Sequence, residues 1–139
     1  MTPSFTPVQI AAFLKWRLRS LKAAGTGRRA RELLLTNIGW HIGRNHLVCI
    51  TEKDKISGVG IARGIDRIED ARFQHRFNDQ GKILYIEHVA ADTNIAFKHL
   101  LLWARKRWPH ADKLLFHRLK SGSRNKIYNL NEFILKACL

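Results

Sequence analysis

Residues 82–92 read KILYIEHVAAD, an apolar run that carries an adjacent acid and imidazole, Glu87 and His88. The part from Leu84 to Val89 is apolar on both alternating faces, which is typical of a central strand covered on both sides. A carboxylate inside such a run must either be paired with other groups or be used for chemistry, because an unpaired buried charge is costly. The stretch therefore predicts a central β-strand, and Glu87 is its first candidate functional residue.

A helix and a second strand are expected after this strand. Apolar residues recur at helical spacing over about 97–108, and Pro109 ends the pattern. Residues 114–119 form the next apolar run and predict a strand. A polar turn then leads into residues 126–130, which form either a partner strand or a short helix.

The N-terminal part of the chain predicts two helices and a β-hairpin. Thr6 and Pro7 are typical of a helix start, and a second helix is expected from Arg28 to Ile42. Residues 46–51 and 56–65 are apolar runs joined by a short charged turn, which indicates two paired strands.

Together these elements predict a single domain over residues 1–139 of the α/β (α+β) class. Its N-terminal helices would occupy about 7–42, its sheet and the 97–108 helix about 46–130, and a short C-terminal tail 131–139. The sheet is expected to be mixed, mostly antiparallel and flanked by helices. With 139 residues, 45% of them hydrophobic, the chain can bury a core of this size.

The net charge is the outlying bulk property. The chain has 25 Lys and Arg residues against 11 Asp and Glu, a formal charge of +14. Such an excess attracts polyanions such as nucleic acid, acidic proteins or anionic lipid, without selecting among them. Two cysteines, the absence of a signal-peptide pattern and the absence of a long apolar run predict a cytoplasmic protein with no membrane span.

The span from residue 56 to residue 128 resembles the GNAT superfamily of acyl-CoA-dependent N-acyltransferases. The similarity is carried by three stretches in the order strand, cofactor helix and strand: LYIEHVAAD (84–92), AFKHLLLWARKRWP (96–109) and ADKLLFHRLKSGSRNKIYNL (111–130). The resemblance implies a GNAT-like fold and transfer of an acyl group from acetyl-CoA or another acyl-CoA to an amine acceptor. It also implies that Glu87 is the general base and Tyr128 the general acid.

The loop between strand and helix departs from the family pattern. Residues 91–96, ADTNIA, contain no glycine, whereas the family binds the cofactor pyrophosphate with a Gly-rich loop. Either Asp92 or Thr93 caps the helix, or the helix N-terminus still binds phosphate through its free N–H groups. In the second case the cofactor contacts would be Val89, Ala90, Asn94, Ile95 and Ala96. The backbone N–H groups of Val89 and Ala90 would also hold the developing oxyanion.

An acyl carrier protein is the alternative donor. Some toxin-activating lysine acyltransferases are similar in keeping a GNAT-like scaffold without the usual loop and taking the acyl group from an acyl carrier protein. A strongly basic domain suits such an acidic donor. No metal is expected, because the histidines and cysteines lack zinc-site spacing and the acids form no two-metal series.

Each candidate catalytic residue has a structural alternative. Partial burial would raise the pKa of Glu87 toward that of a useful general base, but an ion pair with a basic residue is the competing interpretation. His88 points to the opposite face of the strand unless a bulge intervenes, and is otherwise a core histidine. Tyr128 either protonates the leaving thiolate or is a β-favouring aromatic in a hairpin.

Nucleic-acid binding is the second function class. Basic residues alternate with aromatic ones around Trp16 and between Trp103 and Trp108, so phosphate contacts and base stacking are both available. The two basic patches consist of Lys15, Arg17, Arg19, Arg28, Arg29 and Arg31, and of Arg105, Lys106, Arg107 and Arg124. A non-catalytic structural or accessory protein, for example of a virion or a mobile element, is the remaining class.

Overall fold

The computed structural model describes residues 5–18, 27–118 and 124–138. Within these ranges the chain forms helices on a five-stranded sheet, and the α+β class predicted from the sequence is confirmed. In chain order the elements are α1 (Pro7–Arg17), α2 (Arg28–Gly43), β1 (Leu47–Glu52), β2 (Lys55–Ile65), a 3-10 helix (Ile68–Arg72), β3 (Ile83–Ala91), α3 (Asn94–Arg107), β4 (Lys113–Arg118), β5 (Arg124–Asn129) and α4 (Leu130–Cys138).

Local sequence explains where α1 begins. The Thr6 hydroxyl accepts a hydrogen bond from the Gln9 N–H at 3.2 Å, and the Thr6 N–H donates to Gln9 Oε1 at 2.8 Å. This reciprocal pair satisfies N–H groups that a helix start leaves free, and Pro7 needs no such partner. The predicted helix start is therefore confirmed.

β1 and β2 form the predicted hairpin. They pair in antiparallel fashion and close with Glu52 opposite Lys55. The two residues between them, Lys53 and Asp54, have φ values of 52° and 64°. Positive φ at both turn positions is the geometry of a tight two-residue hairpin, whose twist matches that of the flanking strands.

The five strands form one sheet in the order β1-β2-β3-β4-β5. Neighbouring strands are antiparallel except for β3 and β4, which are parallel and are connected by α3. The parallel pairing runs only from Ile83 opposite Lys113 to Ile86 opposite Phe116. β3 is the central strand, as predicted, but it extends well beyond its pairing with β4.

Helices cover both faces of the sheet. The α1/α2 face carries the buried cluster Ile10, Ala11, Phe13, Leu14, Ile38, Val59, Ile61 and Ala90. The α3/α4 face carries the buried cluster Ala62, Leu84, Ala104, Trp108, Ala111, Leu114 and Leu130. Removal of this apolar surface from water from both sides is the main force that holds the layers together.

The prediction of a C-terminal tail over 131–139 is wrong. Residues up to Cys138 continue α4, whose first residue, Leu130, is buried. The Phe133 ring lies 5.7 Å from the Phe116 ring and 5.4 Å from the Tyr128 ring, between centres. The apolar residues of this segment recur at i, i+3, i+4 and i+7, so a helical signal was present in the sequence.

Candidate functional site

A β-bulge at Glu87 sets the geometry of the candidate site. In the ladder between β3 and β2, His88 lies opposite Ile61, but the next pair is Ile86 opposite Ala62. Glu87 is therefore an extra residue in β3 with no pairing partner of its own in β2. Such bulges commonly redirect side chains next to active sites.

The bulge turns Glu87 and His88 toward the same face of the sheet. Before it, Leu84 and Ile86 belong to the α3/α4 face, and after it Ala90 belongs to the α1/α2 face. Because side chains alternate along an extended strand, Glu87 and His88 both lie on the α1/α2 face. The expectation of opposite faces, which assumed a regular strand, does not hold here.

β3 and β4 separate directly before these two residues. The last parallel pair is Ile86 opposite Phe116, and β3 then continues to Ala91 paired with β2. Among the residues that the structure describes, the β4-facing edge of β3 from Glu87 onward has no strand partner. Glu87 and His88 therefore stand at the mouth of a gap between two neighbouring strands.

Two side chains hold the Glu87 carboxylate. Its Oε2 lies 2.6 Å from His41 Nε2 and 3.4 Å from Arg63 Nη1. The first of these is a hydrogen-bond distance, although the imidazole N–H is not aimed along it. His41 and Arg63 are buried, whereas the Glu87 side chain keeps 21% of its surface exposed. The carboxylate can therefore be reached from solvent while its two partners cannot.

The expectation that burial raises the pKa of Glu87 above its ordinary value is wrong. Burial does act in that direction, but the contact with His41 and its charge, followed by the charges of Arg63 and His88, lower the pKa of this carboxyl overall. Glu87 is therefore a carboxylate at neutral pH. The competing interpretation of Glu87 as an ion-paired residue describes its resting state.

Arg63 ties this carboxylate to the segment between β2 and β3. Its Nη2 donates to the carbonyl oxygens of Asp70, Ala71 and Phe73 at 3.2, 2.9 and 3.3 Å. The guanidinium carbon also lies 4.9 Å from the centre of the Tyr85 ring. A buried charge is tolerated when its hydrogen bonds are satisfied, and Arg63 obtains most of its partners from this one segment.

Tyr128 does not lie near Glu87. It pairs with Leu114 between β4 and β5, and its ring packs on the α3/α4 face, 6.1 Å from the Phe116 ring between centres. Glu87 lies on the α1/α2 face. The fold thus separates the two predicted catalytic side chains by the thickness of the sheet.

The N-terminus of α3 is capped by the protein itself. The Thr93 hydroxyl accepts from the Ala96 N–H at 3.1 Å and donates to Glu52 Oε1 at 2.9 Å. Asp92 instead pairs with Arg17, with 2.9 Å between Oδ1 and Nε. The capping interpretation is confirmed for Thr93, and two carboxylates stand beside the N–H groups that would otherwise attract a phosphate.

The predicted cofactor contacts surround this turn. Val89 lines the α3/α4 face, Ala90 and Ala96 are buried, and Asn94 and Ile95 are exposed in the first turn of α3. The cavity between α3, β2 and β3 measures only about 20 Å³. It holds about one water molecule, so the site must widen before an acyl chain can enter.

His46 lies in an aromatic cluster beside the Glu87 site. Its ring centre is 4.9 Å from that of Phe77, 5.7 Å from that of His41 and 5.8 Å from that of Trp40. Burial, followed by the electrostatic effect of His41, lowers the pKa of His46 to about 4, against an opposing effect of Asp79. The imidazole is therefore neutral in the folded protein at neutral pH.

We expect His46 to make the protein sensitive to acid. The unfolded chain protonates this residue near pH 6.5, but the folded protein does so only near pH 4. Its contribution is complete above about pH 6.5 and is lost progressively as the pH falls to about 4, a loss of about 3 kcal/mol. Urea unfolding at about pH 7 and about pH 4.5 should show a larger loss for the wild type than for His46→Leu. Equal losses would contradict this assignment.

No protein-family model matches the chain, and no curated protein sequence matches it. Solved structures do match the chain, and two of them are the following. One is the GphF GNAT-like decarboxylase in complex with isobutyryl-CoA, at 11% identity and a TM-score of 0.55, over 80% of this chain and 60% of that chain. The other is the loading GNATL domain of CurA from Lyngbya majuscula, at 11% identity and a TM-score of 0.55, over 81% of this chain and 60% of that chain.

The chain has a GNAT-like fold. It spans about 60% of the length of each of these two structures. The resemblance drawn from the three sequence stretches is thereby confirmed at the level of fold. At 11% identity the match establishes the arrangement of helices and strands and nothing finer.

Several of the residues predicted to contact nucleic acid instead bind other groups of the same chain. Arg17, Arg105 and Arg107 each donate to backbone carbonyl oxygens, and Arg17 and Arg107 also pair with carboxylates. Arg28 pairs with Glu32. Those exposed to solvent include Arg28, Arg29, Arg31 and Lys106, with Lys15 partly exposed. Arg19 and the side chain of Arg124 lie outside the described residues.

The described residues give little support for a metal site, a membrane span or a reactive cysteine. Within residues 5–18, 27–118 and 124–138, His, Cys, Asp and Glu side chains form no group of three or more that could hold a metal ion. In the same ranges, every helix is too short or too polar to cross a membrane. Burial raises the pKa of the Cys49 thiol to about 11, which leaves it a poor nucleophile.

Sequence reasoning missed three residues around Glu87: His41, Arg63 and Tyr85. Tyr85 precedes Glu87 by two positions and so shares its face, a signal that the sequence contains. Arg63 is a lone charge inside the apolar run 56–65, which signals a need for partners just as Glu87 does. The pairing of these residues depends on the register between β2 and β3, which no local pattern specifies.

Proposed function

We propose that this protein is an N-acyltransferase that moves an acyl group from a thioester to an amine. The observation that carries the proposal is the position of Glu87: a partly exposed carboxylate on a bulge, at the point where β3 and β4 separate. The GNAT-like fold supports a thioester substrate, because one structure of that fold is in complex with isobutyryl-CoA. Deeply anchored partners keep the carboxylate in place for chemistry.

The reaction requires one proton to leave the amine and one to reach sulfur. The amine nitrogen attacks the thioester carbonyl, the C–N bond forms, the C–S bond breaks, and the thiol leaves with a proton. In the proposed mechanism the Glu87 carboxylate promotes loss of the proton from the acceptor amine, either by accepting it or by stabilising a neighbouring base that accepts it. Backbone N–H groups near Val89 and Ala90, on the part of β3 beyond its pairing with β4, would stabilise the oxyanion that forms on the carbonyl oxygen.

Either CoA or an acyl carrier protein can deliver the thioester. Binding of CoA at Asn94, Ile95 and Ala96 would use the α3 N-terminus and the nearby Arg17 guanidinium. The carboxylates of Glu52 and Asp92 oppose a pyrophosphate there, since like charges repel at short range. A carrier protein needs no such contact and is attracted by the formal charge of +14.

We expect Glu87→Gln to lower turnover by about 100-fold or more, because the loss of a positioned acid or base costs 100- to 10,000-fold. Release of free thiol reports turnover, with acetyl-CoA or an acetylated carrier protein as donor and polylysine as acceptor. Glu69→Gln is the matched control, since Glu69 is exposed in the 3-10 helix.

Circular dichroism and urea unfolding must show that Glu87→Gln is folded, because the substitution leaves Arg63 without its counter-charge and removes the carboxylate beside His41. Full activity in a folded Glu87→Gln protein would remove Glu87 from the mechanism. If the wild type releases no thiol from either donor above the uncatalysed rate, acyl transfer itself is ruled out. Calorimetric titration with acetyl-CoA at about 0.3 M salt, where nonspecific anion binding is screened, distinguishes the two donors.

A further inference from the structure

His88 is a titratable group at the mouth of the gap, and it is not one of the two side chains that hold Glu87. The bulge places it beside Glu87 on the α1/α2 face, one residue further from the last β3–β4 pair. Its side chain is partly exposed, in contrast to the fully buried His41. Of the two histidines near the carboxylate, only His88 can be reached by a substrate.

The group predicted to protonate the leaving thiolate does not lie at the site. Tyr128 was the predicted acid, and it packs on the opposite face of the sheet. Glu87 is held as a carboxylate, so it holds a proton poorly and has none to donate at the start of the reaction. A single group that takes up a proton and gives it back meets both requirements.

We propose that His88 carries the proton during acyl transfer, taking it from the acceptor amine and delivering it to the sulfur of the leaving thiol. This inference rests on the proposed acyltransferase function. In the attacking step the neutral imidazole becomes imidazolium as the amine nitrogen loses its proton and the C–N bond forms. In the second step the C–S bond breaks, the sulfur takes that proton, and the imidazole is neutral again. Glu87 stabilises the imidazolium between the two steps without itself being protonated.

The charges around His88 are consistent with proton transfer by His88 and stabilisation of its cation by Glu87. Burial lowers its pKa, the carboxylate of Glu87 raises it, and His41 lowers it. Arg63, from β2, acts on the same carboxylate. His88 is therefore a neutral base at neutral pH, and the adjacent negative charge favours the cation once a proton arrives. Removal of the charge of Glu87 should make His88 harder to protonate.

Rate measurements on His88 variants test the inference. With the same donors and polylysine, His88→Gln should lower turnover by about 100-fold or more. Free imidazole should restore part of the activity of His88→Ala, which a merely structural role would not allow. His110→Gln is the matched control, because His110 is exposed in the turn between α3 and β4. It should retain the wild-type rate.

The pH profile provides a second readout. The rising limb of kcat/KM should follow the imidazole titration of His88, measured by NMR in the wild type. In Glu87→Gln both the residual activity and the titration should shift to lower pH, because the charge that favours the imidazolium is gone. A titration of His88 that does not move in this variant would overturn the coupling between the two residues.

The outcomes separate this inference from the function on which it rests. Loss of activity in both Glu87→Gln and His88→Gln, with rescue by imidazole, supports both. Loss in Glu87→Gln alone, with His88→Gln at the wild-type rate, overturns the role of His88 and leaves the function standing. No thiol release by the wild type overturns both.

Discussion

Replacement of Arg63 by methionine is expected to lower the free energy of unfolding by about 3 to 5 kcal/mol, because the partly buried carboxylate of Glu87 loses its guanidinium partner and keeps only His41. Methionine has a similar length and no charge, so the space is largely filled. The substitution also removes the donor shared by the carbonyl oxygens of Asp70, Ala71 and Phe73. Those carbonyls must then bond to water, which requires the segment to move away from the sheet.

Urea unfolding measures the loss of stability in Arg63→Met, and hydrogen exchange measures where it occurs. Exchange should accelerate at the amides of residues 66–82 before it does so elsewhere. Arg72→Met is the matched control, because Arg72 is an exposed arginine of the 3-10 helix. A loss in Arg63→Met no larger than that of the control would show that the buried guanidinium does not anchor the segment.

Gly64→Ala is expected to destabilise the protein by about 3 kcal/mol, since forced overpacking in a tight site costs roughly this much. An added Cβ would lie 2.3 Å from the carbonyl oxygen of Asn78 and 3.3 Å from Trp108 Cδ1. The first of these neighbours is backbone, held by a hydrogen bond of 2.8 Å from the Asn78 N–H to the Gly64 carbonyl. Relief of the clash would therefore break this hydrogen bond, which holds the segment 66–82 against β2.

Gly39→Ala is the control for Gly64→Ala. Gly39 lies on the exposed side of α2, and a Cβ there would meet no other atom of the described residues within 4 Å. Alanine in a helix interior is favoured over glycine by about 0.5 to 1 kcal/mol, so this variant should be more stable than the wild type. If the two alanine variants unfold at the same urea concentration, close approach at Gly64 does not limit stability.

Local patterns allowed most of the elements to be predicted. Thr6, Gln9 and Pro7 specify a helix start through contacts within one turn, and the charged turn at 53–54 specifies a hairpin. The apolar periodicity of β3 and α3 reports the faces that they bury. The α4 helix was missed although its apolar spacing was visible, because nine residues after a strand were taken as a tail.

The chemistry of the site depended on features that no local pattern specifies. A bulge adds one residue to β3 relative to β2, so every side chain beyond it lies on the face opposite to the one that regular alternation predicts. The position of His88 beside Glu87 therefore cannot be predicted without the register. The same register brings Arg63 to the carboxylate. Tyr128 was predicted from its position after β4, but the alternation of β5 sends its ring to the other face.

The short seam between β3 and β4 divides the sheet into two parts of unequal size. Four residue pairs join β3 to β4, whereas eight pairs join β2 to β3 and six pairs join β4 to β5. Native proteins open along their least cross-linked boundaries, and the elements on one side of such a boundary tend to open together as a cooperative unit. In this protein that boundary is also the mouth of the gap at Glu87. Partial opening of the C-terminal part, β4, β5 and α4, would therefore widen the entrance to the site without disturbing the antiparallel ladders on either side.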